Sequence, residues 1–230
     1  MNASALPLPP LDRLPSGRHR LSREAVESSQ RGRLLFAIAQ VVAEKGYAAA
    51  TVADIVDRAS VSRTTFYEQF PDKEACFIAA FDFAVEYVLG QMRQAWEELG
   101  EGDNDGERDW RERVRSDLTT YLRVLASEPA FARALHVEAL AAGPAALERR
   151  AVMLSLFADR TRRVHELARA AEPSLPELQQ AAFAVHTGGV DELIREWIRT
   201  RGAGSLPELA EPALAATLAI FGALPPPASR

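Results

Sequence analysis

The sequence predicts an all-α chain, and three observations predict it. Apolar residues recur at helical spacing in one segment after another, and no stretch shows convincing strand alternation. Alanine (41 residues) and arginine (25 against two lysines), both good helix formers, dominate the 230 residues. Glycine and proline punctuate the helical segments.

Taken in order, residues 1–27 read as a flexible basic arm, with prolines at 7, 9, 10 and 15 and Gly17 preventing a continuous helix. After Ser28-Ser29, Leu34, Ile38 and Val42 form an apolar stripe, and Gly46 behind Lys45 is a stop signal. Thr51 opens a short second helix whose Asp54, three residues on, makes a capping box; Val52, Ile55, Val56 and Ala59 form one buried face. Ser62 caps a third short helix that points Phe66 and Phe70 inward and leaves Arg63, Thr64 and Tyr67 outside. Pro71-Asp72 interrupts, and a fourth helix runs from Lys73 to about Leu99. Beyond the polar loop 100–109, helices are predicted at 110–127, 129–142, 145–171, 178–201 and 206–222, with Pro129 and Pro144 at tolerated first-turn positions and 225–230 a disordered tail.

Composition excludes some functions. Cys76 is the single cysteine, so an intrachain disulfide and a cysteine-based zinc site are ruled out, and a cytoplasmic setting is expected. No run approaches 18 uninterrupted apolar residues, so no membrane-spanning helix is expected, and the proline-rich start carries no signal-like apolar core. No nucleophile elbow, phosphate loop or metal-ligand cluster occurs, the histidines (19, 136, 165, 186) have no partner among themselves at helical spacing, and neither an enzyme nor a cofactor is expected. The net charge of −5 is unevenly spread: residues 13–33 carry a local +4 and the rest −9. A basic end on an acidic body points to a nucleic-acid partner.

Two short helices joined by a tight turn, 51–59 and 62–70, describe a helix-turn-helix. Arg63 can fork onto guanine, and Thr64 and Thr65 can bond a base edge or touch a thymine methyl. Thr51, Tyr67 and Lys73 lie where phosphate contacts fix register, and the N–H groups at Thr51 and Ser62 suit phosphate oxygens. The expected DNA-binding set is therefore Thr51, Ser62, Arg63, Thr64, Thr65, Tyr67 and Lys73, with Arg18, Arg20 or Arg23 of the arm as possible minor-groove contacts.

The segment EKGYAAATVADIVDRASVSRTTFYEQFPDKEACFIAAFD resembles the DNA-binding domain of the TetR family of bacterial regulators. The resemblance rests on Gly46-Tyr47, Thr51 to Ile55, Val61-Ser62, Thr65-Phe66-Tyr67, Phe70 and Lys73-Glu74, within about residues 30–80. Ser60 stands where the family usually has a turn glycine. The likeness implies a helix-turn-helix domain at 28–72 with Ser62–Phe70 as recognition helix. It also implies a helical effector-binding and dimerisation domain at 73–224.

Gly188 to Ile194 followed by Trp197 resembles the penultimate helix of many members. That helix has two apolar faces, one with Phe183, Val190, Ile194 and Trp197 and one with Ala182, Val185, Gly189 and Leu193, so it is expected to be sandwiched; the resemblance implies that one face meets the domain core and the other a dimer interface with the last helix. Phe81, Trp96, Tyr121, Phe157, Phe183, His186 and Thr187 are the expected effector-binding residues, His186-Thr187 as polar anchor. The expected protein is a homodimeric, ligand-responsive repressor on a palindromic operator, with double-stranded DNA, itself and a small effector as partners. The alternative is a helical small-molecule-binding or scaffold protein with a vestigial helix-turn-helix.

Overall fold

The computed structural model describes residues 29–100 and 109–223. The basic arm, the tail and most of the polar loop lie outside the described residues. Three helices come first: α1 (Gln30–Lys45), α2 (Val52–Ala59) and α3 (Arg63–Gln69). Six more follow: α4 (Lys73–Gly100), α5 (Trp110–Ser127), α6 (Pro129–His136), α7 (Pro144–Ala171), α8 (Gln180–Arg201) and α9 (Ala210–Ile220). Short 3₁₀ segments at Glu138–Ala141 and Ala203–Leu209 precede α7 and α9. No strand occurs among the described residues.

The short helices are held at their ends. Ser29 Oγ accepts the Gly32 N–H, and Gly46 at φ 80° ends α1 with its own N–H on the Val42 carbonyl. Thr51 and Asp54 form the full capping box of α2, each side chain accepting the other's backbone N–H. The Thr51 hydroxyl also lies 2.7 Å from Asp54 Oδ2, and Lys45 Nζ lies 2.5 Å from Oδ1. Ser62 Oγ accepts the Thr65 N–H at 3.0 Å. Ser60 closes α2 in the left-handed region, φ 52° and ψ 48°, the only non-glycine residue with positive φ among those described. A side chain there crowds the following carbonyl, and serine accepts the strain that glycine would avoid.

One core runs through α1, α2, α3, α4 and α6, with Leu34, Ile38, Ile55, Phe66 and Phe77 almost wholly buried. A second, around Trp110, Val164, Phe183, Leu214 and Phe221, ties α5, α7, α8 and α9 together at the other end.

Three expectations change. The helix predicted over 129–142 stops at His136, because Val137 turns the chain and sends Glu138 toward the first three helices. The last helix begins at Ala210, since Pro207 sits in the 3₁₀ segment before it. By length and composition residues 73–98 of α4 pass for a membrane span, a reading that uninterrupted apolar runs had missed. Half of its apolar 18-residue window is buried in the bundle. Its buried Asp82 is held by two guanidinium nitrogens of Arg149 on α7, Nε and Nη2, as befits the spine of a packed bundle.

Two measurements check this account. Ser60→Gly should raise stability by up to about 1 kcal/mol in urea denaturation, since the left-handed turn is then unstrained; a lower midpoint would show that the serine side chain supports the turn. The bonds from Lys45 first, and then Thr51, hold the Asp54 carboxyl at about 2, below its ordinary range. Its folded-state pKa is lowered, so its contribution is complete above the unfolded value near 4 and falls away as pH drops toward 2. A carboxyl ¹³C titration should give that midpoint, and Asp54→Asn should flatten the acid limb of the stability profile.

Candidate nucleic-acid interface and effector cavity

The first three helices divide their side chains between packing and presentation. Phe66 and Phe70 are buried, and Ile55 and Ala59 hold α3 from behind. Facing out are Arg63, Thr64 and Tyr67, the last 48% exposed. None of the three side chains makes a hydrogen bond to another described residue; the Arg63 guanidinium lies 5.9 Å from the Tyr67 ring. Thr51, Ser62 and Thr65 are placed differently. Their hydroxyls are engaged in caps, Ser62 and Thr65 being 2.9 Å apart, so what they offer outward is mostly backbone and methyl surface.

Two arginines of the basic segment are structural. Arg31 donates to the Gln69 carbonyl at 3.2 Å and lies 4.4 Å from the centre of the Phe70 ring. Arg33 Nε donates to the Ala59 carbonyl at 3.1 Å. Each closes the C-terminus of a helix of the turn motif, where carbonyls are free and the dipole favours a cation. Arg18, Arg20 and Arg23 lie outside the described residues.

Lys73 is also engaged. Its ammonium donates to the Tyr47 and Ala50 carbonyls at 2.8 and 2.9 Å and sits 4.2 Å from the centre of the Tyr47 ring. One N–H remains for an outside acceptor. The Tyr47 N–H goes to Glu138 Oε2 at 3.1 Å, and Arg133 pairs with the other carboxylate oxygen. Thus α4 and the 3₁₀ segment after α6 both grip the turn between α1 and α2.

Between α5, α7, α8 and α9 lies a cavity of about 80 Å³. Its wall is largely apolar, with Leu118, Met153, Leu154, Phe157, Val190 and Phe221. Tyr121, Phe157, His186 and Thr187, four of the seven residues expected at an effector site, stand on this wall. The other three lie elsewhere. Phe81 is buried in the first core. Trp96 carries the Arg113 guanidinium 4.0 Å from its ring centre. Phe183 packs in the second core against the His165 ring, 5.6 Å between centres. All three satisfy apolar helical periodicity, which cannot tell a cavity wall from a filled core.

Sequence reading also passed over polar groups of the wall. Asp117 and Arg160 form a two-pronged ion pair across α5 and α7, with N–O distances of 3.1 and 2.6 Å. Asp191, 4% exposed, accepts from His136 Nδ1 at 2.8 Å and from Arg150. With the hydrogen on Nδ1, His136 Nε2 is left to accept the Tyr121 hydroxyl, 3.3 Å away. Burial alone would raise the Asp191 pKa, but His136 and Arg150 outweigh it and hold the carboxyl below its ordinary range. Burial raises the Tyr121 pKa, so its hydroxyl keeps its proton. Its members come from four helices, so no spacing along one helix reveals the cluster.

Comparison with known proteins agrees with this architecture. Residues 34–80 match the family model described as bacterial regulatory proteins, tetR family. The chain is 32% identical over 84 residues to the HTH-type transcriptional activator FasR of Mycolicibacterium smegmatis; the match spans 36% of this chain and 38% of that protein's length. The fatty acid degradation regulator FadR of Bacillus halodurans superposes with a TM-score of 0.70 at 20% identity, covering 82% of this chain and 94% of that one. The transcriptional regulator FadR of Bacillus subtilis, solved in complex with stearoyl-CoA, superposes with a TM-score of 0.68 at 18% identity over 84% and 98%. Identities this low speak for the fold alone. Residues 34–80 thus match the turn-motif domain of the tetR family of bacterial regulatory proteins, and an all-helical body presents it.

Proposed function

We propose that the protein is a cytoplasmic, homodimeric, ligand-responsive transcriptional repressor. The observation that carries the reading is the division of labour in Ser62–Phe70: the phenylalanines fix the helix, and Arg63, Thr64 and Tyr67 are left with unspent polar groups on one exposed face. In a dimer, two such helices would enter successive major grooves about 34–36 Å apart on a palindromic operator. Lys73, Thr51, Ser62 and Thr65 would border the groove, and Lys73 would have one N–H left for a phosphate.

The dimer would form through α8 and α9. Val185 is 72% and Leu193 43% exposed, both on the second apolar face of α8, and nothing lies within 4 Å of where a Cβ on Gly188 or Gly189 would stand. On α9, Ala215, Ala216 and Ala219 are exposed. Small residues on both helices let two backbones approach closely.

The effector would enter the apolar cavity. An acyl chain suits such a wall, and one structural relative was solved with stearoyl-CoA. About 80 Å³ holds only a handful of waters, so a larger guest must spread α5, α7 and α8. His136 touches the cavity's Tyr121, and Glu138, two residues on, holds Tyr47. Displacement of α6 would therefore change how the reading heads are spaced. An effector acts only if it prefers that second arrangement.

Two outcomes are expected. Genomic fragments selected by the protein at moderate salt should share a palindromic sequence. Arg63→Ala should weaken binding to it by about 1–3 kcal/mol and relax one position in each half-site. Unchanged affinity and selectivity would remove α3 as the reading helix, and no enriched sequence would favour a binding protein with a vestigial turn motif. Val185→Glu with Leu193→Glu should give a folded monomer by sedimentation, with operator binding lost; a dimer that persists would place the interface elsewhere.

A further inference from the structure

We propose that the effector is an apolar molecule carrying a hydroxyl group, and that this hydroxyl donates its hydrogen to Nδ1 of His186. The inference rests on the reading of the cavity as the effector site and narrows what that site takes.

The argument turns on one hydrogen. Thr217 Oγ1 lies 2.8 Å from the Ala213 carbonyl oxygen and 2.8 Å from His186 Nε2. A hydroxyl has one hydrogen to give. Were it given to the imidazole, the hydroxyl and carbonyl oxygens would face each other at 2.8 Å with nothing between them. Both contacts are hydrogen bonds only if Thr217 donates to Ala213 and His186 Nε2–H donates to Thr217. Burial lowers the His186 pKa, so the ring is neutral at neutral pH and the second nitrogen carries no hydrogen.

Nδ1 is therefore an acceptor. It is buried and has no hydrogen-bond partner among the described residues. His186 is 8% exposed and stands on the wall of the cavity. A buried acceptor without a donor is costly, and a guest that brings a donor recovers that loss. Thr187, also 8% exposed and on the wall, has a hydroxyl oxygen without a partner and can donate to an oxygen of the guest. The remaining wall is largely apolar. An ether, ester, thioester or carboxylate offers no hydrogen to Nδ1; an alcohol or phenol does.

The test uses matched pairs on the full-length protein without DNA: decanol with its methyl ether, and 2-naphthol with its methyl ether, by calorimetry or tryptophan fluorescence. At least one hydroxyl compound should bind about tenfold or more tightly than its ether, and His186→Phe should shrink that preference to about twofold or less while ether binding persists. Thr217→Val, which removes the acceptor that fixes the tautomer, should also reduce the preference in a chain that keeps His186. A long-range ¹H–¹⁵N spectrum of the histidines should place the ring hydrogen on Nε2.

Equal affinity for alcohol and ether in the unaltered protein would overturn the proposal, as would a preference that survives His186→Phe or a hydrogen found on Nδ1. A water that satisfies Nδ1 and is never displaced would give the first of these results. Failure of every hydroxyl compound to bind would also overturn it. That failure leaves the regulator reading intact, because operator selection is measured separately and without these compounds.

Discussion

The backbone of one residue, Tyr47, is where the three-helix head is fastened to the rest of the molecule. Its carbonyl takes the Lys73 ammonium at the start of α4, and its N–H is taken by the carboxylate of Glu138 from the 3₁₀ segment after α6. Both are charge-assisted bonds, each contributing on the order of 1.5–3 kcal/mol where partly buried. The turn between α1 and α2 adds only Tyr47 and the buried Ala50 to the core. Without these two grips the head would be held mainly by α1 packing on α4 and α6. The Tyr47 ring, 5.0 Å from Phe77 between centres, adds the apolar part of the same joint.

That joint explains features that otherwise look unrelated. Helix α6 stops after two turns, and Glu138, just past its end, reaches Tyr47. The lysine expected to serve only phosphate is spent mainly inside the protein. Arg31 and Arg33, part of the basic segment, stabilise the ends of α3 and α2. Cys76, at the first turn of α4, is fully buried and its thiol is pushed up to about 12 by that burial, so the lone cysteine is a core residue with little thiolate character.

The body follows a second constraint, the buried carboxylate of Asp191. Left alone, it would not stay ionised among apolar neighbours. His136, Arg150 and Arg195 gather around it from α6, α7 and its own helix. The gathering fixes how α6 and α8 face each other and makes Tyr121 a hydrogen-bond donor on the cavity wall. Polar groups of this kind are spread through the wall, but among the described residues only His186 and Thr187 leave a buried side-chain atom of that wall without a partner.

By itself the sequence determined the local order of the chain. Caps at Thr51 and Ser62, the stop at Gly46, the strained turn at Ser60 and the inward pair Phe66 and Phe70 were all legible, because each depends on residues within four positions of one another. The exposed second face of α8 was legible for the same reason. Tertiary structure decided what was left. Phe81, Trp96 and Phe183 could not be separated from Tyr121 and Phe157 by sequence, since one helical stripe serves a filled core and a cavity wall alike. The end of α6 at His136, the role of Lys73, and the pairings of Asp191 with His136 and Arg150 and of Asp117 with Arg160 depended on partners 23 to 91 residues away. Periodicity reports which side of a helix is dry; only the packing of several helices decides which polar group on that side finds a partner and which is left open.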